Sequence, residues 1–170
     1  MRAVEVANYL IERWGSDYPA TINKLNRLVY LAQAEAIATT GKPLFEDRIE
    51  AWQCGPAVPA VIHAFGEWGD AVIAAPIEHV EVKPDAARLI DSAAEKYGPL
   101  SAFDLVSLVR HPGGAWARVY VPGRDVEITS DAIKASADAS ADASRPEPFS
   151  ATLDTVARNM PHALKMLEAS

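Results

Sequence analysis

"TINKLNRLVYLAQAEAIATTG", residues 21–41, is the stretch from which the rest of the chain is read. Ile22, Leu25, Leu28, Val29, Ala32, Ala36 and Ile37 recur every three or four positions, the spacing that lines apolar side chains along one side of a helix. Thr21 stands where an N-cap is needed, and Gly41 supplies the stop. The remaining side carries Asn23, Lys24, Asn26, Arg27 and Glu35, read as a solvated polar face. A helix with so wide an apolar stripe needs apolar neighbours, and the flanking sequence offers mostly helices.

Upstream, "VEVANYLIERW" places Val4, Ala7, Tyr9, Leu10 and Trp14 at helical spacing, with Gly15 as its end. Downstream the period changes. Leu44, Phe45, Ile49 and Trp52 in "KPLFEDRIEAW" fit a strand or loop better than a helix. Gly55-Pro56 then marks a turn, and Pro59 suits the first turn of a helix, where a missing N–H costs nothing. That helix would turn Val58, Val61, Ile62 and Phe65 inward and end at Gly69. A short strand is expected in "AAPIEHVEV", residues 74–82. Pro84 opens a further helix with Ala87, Leu89, Ile90 and Ala94 as its apolar side and Gly98 after it. Ser101 caps "AFDLVSLVRH", in which Phe103, Leu105, Val106, Leu108 and Val109 read as buried. "PGGAWARVYVPG" reads as a connection carrying Trp116, and "EITSDAIKA" as a strand-like entry to a short helix begun by Ser130 or Asp131.

The expected architecture is mainly α, a compact single-domain helical fold with a minor β element and a C-terminal helical tail. Its bounds are a folded domain over 1–136, a low-complexity linker over 137–149 and an amphipathic helical tail over 150–170. The low-complexity stretch from Ala135 to Pro148, read as linker, contains Ala-Ser-Ala-Asp twice; the tail sets Leu153, Val156, Met160, Leu164 and Leu167 at helical spacing, interrupted by Pro161.

The chain's 170 residues, 49% of them hydrophobic, are enough for one core of ordinary size. A net charge of −7 works against a phosphate-tracking groove, so nucleic acid is not the expected partner. One cysteine cannot form an intramolecular disulfide framework, and His63, His79, His111 and His162 lie too far apart in sequence for a zinc spacing. No signal peptide is read at the start, and no apolar run approaches the ~18 residues of a membrane span, which leads us to expect a cytoplasmic chain. Cys54 followed by His63 is a nucleophile-and-base order, but both would sit in one turn-helix unit, with Cys54 upstream of the helix start. Phosphate-loop, nucleophile-elbow and paired-histidine motifs are missing, so neither enzymatic activity nor a cofactor is expected. Glu46, Asp47 and Glu50 read as a solvated acidic face. Trp52, Phe65, Trp68 and Trp116 are each large enough to anchor a core, and Trp52, beside the Gly-Pro turn, is the candidate for a rigid interface contact.

Several pieces stand at fixed spacing: K-L-x-x-L-x-Y-x-A-Q from Lys24 to Gln33, P-L-F at Pro43–Phe45, and I-E-A-W-x-x-G-P-x-x-P from Ile49 to Pro59. With "LSAFDLVSLVRHPGGAWARV" after them, they resemble the signatures of the Panacea domain, found in prophage-associated proteins and in antitoxins of the SocA type. The resemblance covers roughly residues 3–136. It implies a mostly helical antitoxin that binds and neutralises a toxin encoded by an adjacent gene. It also implies an alternative, a proteolytic adaptor delivering that toxin to a ClpXP-type protease; a DNA-binding autoregulator is a further alternative from a different functional class. Tyr30, Gln33, Trp52, Cys54, Gly55, Pro56 and Pro59 are the candidate toxin contacts. Two positions depart from the pattern. Cys54 stands where an aromatic residue is usual, and the proline usual directly before Trp116 is absent.

Overall fold

A computed structural model describes residues 1–139. The linker beyond Ala139 and the expected helical tail lie outside the described residues. Among the described residues, seven helices and a small three-stranded sheet make a mainly α fold with a minor β element, as the sequence leads one to expect.

The fold is wound round α2, Ile22–Thr40. Thr21 accepts from the Lys24 N–H at its start, and Gly41 ends it in the left-handed conformation at φ 72°, where a Cβ would be strained. α2 is not a stripe facing one neighbour. α1 (Ala3–Trp14), α4 (Pro84–Tyr97), α5 (Ala102–Val109) and α7 (Ser130–Lys134) all pack on it, and nearly every residue from Leu25 to Ile37 is buried. The expectation of a solvated polar face is corrected at Asn26 and Arg27, which are buried, as is Gln33. These side chains face inward because the loop and hairpin packed beside α2 carry backbone groups that need partners.

Gln33 shows the rule. Its amide nitrogen donates to the Phe45 carbonyl at 2.9 Å, and its amide oxygen accepts from the Leu44 and Phe45 N–H groups at 2.7 and 3.1 Å. One buried side chain thus pins the loop that follows α2, allowing Phe45 to enter the core at 2% exposure.

β1 (Glu50–Trp52) pairs antiparallel with β2 (Gly55–Ala57), Trp52 opposite Gly55, and β3 (Val126–Glu127) joins the free edge of β1. Pro59 opens α3, Pro59–Ala64, in its first turn, and a 3₁₀ turn over Gly66–Trp68 completes that segment before Gly69. Ser101 and Asp104 form a reciprocal capping box at the start of α5.

Three local expectations are corrected. Residues 74–82 form no strand; only Val72 makes an isolated bridge, to Thr21. "GAWARV" is not a bare connection but carries α6, Ala115–Val119, fixed by burial of Trp116. α7 does begin at Ser130, one of the two expected starts, with Thr129 as its N-cap. Phe103, counted among the buried residues of its helix, is 64% exposed, because α5 buries Leu105 and Val109 and turns Phe103 outward.

Folded contacts also continue past Ser136. A 3₁₀ turn over Ala137–Ala139 packs on α2 and carries Asp138, whose carboxylate is 5% exposed.

Candidate interaction site

The β1–β2 hairpin projects a corner at Gln53 and Cys54, both exposed, with Trp52 half-buried beside them. A two-residue hairpin loop usually needs positive φ within the loop itself. No residue other than glycine has positive φ here, and the step is taken at Gly55, φ 120°. A Cβ at this position would also come within 3.0 Å of the Val109 side chain. Gly55→Ala is therefore expected to cost about 2 kcal/mol from backbone strain and overpacking. Thermal unfolding should show a fall in Tm of about 5 °C. An unchanged Tm would mean that the corner tolerates a side chain.

The corner is gripped through its backbone. The Asn26 amide donates to the Pro56 carbonyl at 3.1 Å and accepts from the Val58 N–H at 2.8 Å. Arg27 donates to the Cys54 carbonyl at 3.3 Å and, within its own helix, to the Asn23 carbonyl at 2.5 Å. From the opposite side the Trp116 indole N–H donates to the Trp52 carbonyl at 2.8 Å. Trp116 is itself held by a stack on Tyr120, centroids 4.5 Å apart, and by the Arg110 guanidinium 4.8 Å over its ring. The Trp52 indole donates to Glu50 at 2.8 Å, which fixes the ring along the strand.

Of the seven candidate contact residues, the structure brings Trp52, Cys54, Gly55, Pro56 and Pro59 together at this corner. Only Trp52, Cys54 and Pro59 reach solvent there; Gly55 and Pro56 are buried and shape the turn. Tyr30 and Gln33 lie elsewhere, inside the fold, and offer no side-chain surface to a partner. Tyr30 belongs to a buried polar network centred on Asp138. Its hydroxyl donates to Asp138 at 2.6 Å, the Ala115 N–H donates at 2.8 Å, and the His111 ring approaches at 2.8 Å. Burial, then the adjacent carboxylate, hold the Tyr30 phenol well above its ordinary pKa, so it remains a donor. The network ties α2, the start of α6 and the 137–139 turn to one another.

The residues missed by sequence reasoning are Asn26, Arg27 and Asp138. The helical pattern places the first two on the polar side of α2, and Asp138 sits inside the Ala-Ser-Ala-Asp repeat; no local signal marks any of them for burial. No hydrogen bond joins Cys54 to His63, and both are exposed. Among the described residues no three metal-ligating side chains converge. No helix of the described residues is long and apolar enough to cross a membrane. The corner's chemistry is that of a rigid, half-apolar contact surface.

A sequence model of the family described as "Antitoxin SocA-like, Panacea domain" matches residues 25–117. Those bounds enclose α2 from Leu25, the hairpin and Trp116, the parts that build the corner. Among curated proteins, the antitoxin SocA of Caulobacter vibrioides is 30% identical over 124 residues, covering 65% of this chain and 66% of that protein. The chain thus spans about two thirds of that relative's length. No solved structure matches.

Proposed function

The chain belongs to the SocA-like Panacea-domain antitoxin family, and from that premise we propose that it neutralises a cognate protein toxin by direct contact, without catalysing a reaction. The observation that carries the reading is the match over residues 25–117, because it includes both halves of the grip on the hairpin. Asn26 and Arg27 come from its beginning and Trp116 from its end.

What this geometry contributes to binding is preorganisation. Side-chain and loop ordering is a large opposing contribution to association, about 0.5–1.5 kcal/mol for each immobilised side chain. At the corner much of that ordering is complete before contact, since both strands are paired and four backbone groups are bonded to α2 or α6. Trp52 then presents a fixed aromatic edge of the kind enriched in binding hot spots.

The test is co-expression with the product of the adjacent gene. Cells making that product alone should stop growing, and cells making both proteins should grow, with the two proteins co-purifying as a complex. If the product is harmless alone, or stays toxic beside a folded copy of this protein, the antitoxin reading fails. Complex formation without any fall in the toxin's abundance would separate occlusion from delivery to a protease.

A further inference from the structure

α2 begins with an uncompensated positive charge. Arg27 is 7% exposed, yet no carboxylate lies within ion-pairing distance of it among the described residues. Two of its five N–H donors go to backbone carbonyls, and the Nε–H is buried without a partner. Burial pulls its pKa down, opposed only by the neighbouring Cys54. Lys24, one turn earlier, is half-buried and likewise without an ion pair among the described residues, and burial lowers its pKa too. The first turn of α2 contains no acidic residue, although its backbone N–H groups already favour negative charge there. All this sits in a chain of net charge −7, so the local sign is opposite to the global one.

A buried guanidinium without a counter-ion is costly, and a folded chain ordinarily supplies the missing anion from its own surface. Here the space for one is present instead. Arg27 lines a cleft of about 120 Å³ between the start of α2 and the hairpin, bounded also by Asn23, Asn26, Trp52 and Cys54. A water molecule takes about 30 Å³ of liquid, so the cleft is the size of one small polar group rather than of a nucleotide. The lining also includes Trp52 and Pro56, whose apolar surface would exclude water from an entering charge and strengthen its pairing.

We infer that this cleft is the receptor for one carboxylate side chain, an aspartate or glutamate of the protein partner, paired with Arg27. The inference rests on the antitoxin reading for the identity of the partner. It goes beyond that reading by assigning the chemistry of the contact and placing it on the α2 side of the corner. A planar guanidinium fork matches a carboxylate in two-point geometry, which a lysine cannot reproduce.

The test follows the Arg27 Nε–H resonance in the full chain with ¹⁵N-labelled arginine, assigned by its disappearance in Arg27→Lys. The adjacent gene's product, sodium acetate, sodium phosphate and sodium chloride are added in separate titrations. The expected result is a saturable shift with acetate, none with chloride, and a shift in the same direction in the protein complex. Arg27→Lys, which keeps the charge and loses the fork, should bind the partner at least about tenfold more weakly, its fold checked by circular dichroism. Where the complex forms, the behaviour of Arg27 in it decides. Binding that leaves the resonance unmoved overturns the inference while leaving the antitoxin reading intact. Where no complex forms, the antitoxin reading fails and acetate decides. A shift then upholds the carboxylate site; a shift with phosphate alone, or with no anion, overturns it.

Discussion

Asp138→Ala is expected to lower the unfolding free energy by about 4 kcal/mol, the order of loss that follows removal of one side of a buried charged network. The carboxylate accepts from the Tyr30 hydroxyl and the Ala115 N–H, lies 2.8 Å from the His111 ring, and is 5% exposed. Alanine leaves the Tyr30 hydroxyl, on a side chain with 0% exposure, with no acceptor. Each buried donor so stranded costs about 1–3 kcal/mol. Domains of this size are stable by about 5–15 kcal/mol, so the variant should sit close to its unfolding transition at 37 °C. The urea midpoint measures the loss directly. Tyr30→Phe should cost about 1–2 kcal/mol alone and almost nothing beside Asp138→Ala, because the hydroxyl it deletes has already lost its acceptor. A cycle in which the two losses simply add would show that Tyr30 and Asp138 do not act together.

Gln33→Leu carries the second large effect, expected at about 3–5 kcal/mol. Leucine fills similar space, so the loss comes from three backbone groups left without partners: the Leu44 and Phe45 N–H groups and the Phe45 carbonyl. Glutamate at this position still accepts from both N–H groups but cannot donate to the carbonyl, and its stability should lie between the other two. Amide hydrogen exchange gives the local readout. Protection at Leu44 and Phe45 should collapse in Gln33→Leu well before that of α4, since the loop opens as a unit of lower stability than the bundle. Uniform loss of protection would instead make Gln33 one contributor to global packing among many.

These two residues also show what a single sequence can disclose. Apolar spacing locates α1, α2, α4 and α5 because those helices owe their formation to burying one repeated set of positions. The Gly-Pro corner and the helix opened by Pro59 are equally legible, since proline and glycine restrict backbone angles whatever surrounds them. α6 escapes the reading. Its five residues form too few helical bonds to leave a periodic trace, and it exists because Trp116 is drawn under the hairpin. The strand expected over 74–82 fails for the opposite reason: its alternation is present, but no neighbouring strand edge pairs with it.

At the site the boundary falls between backbone and side chain. Trp52, Gly55, Pro56 and Pro59 are marked by residue type. Asn26, Arg27 and Gln33 look like the polar side of an amphipathic helix until the carbonyls and amides of distant segments are placed against them. Asp138 is hidden more completely, inside a repeat whose composition reads as linker. Burial of a polar group depends on which remote backbone lacks a partner, and that information lies in the packing.

The grip on the hairpin has a consequence for how such a chain can change over generations. α2 and Trp116 hold the corner by the carbonyls of Trp52, Cys54 and Pro56 and the N–H of Val58, groups that every ordinary residue carries. The identities of Gln53 and Cys54 therefore enter neither the core nor the clamp, and drift at these two positions is nearly free of selection for folding. A lineage can explore new chemistry at the tip while the frame beneath it stays fixed, so a change of partner need not pass through an unstable ancestor.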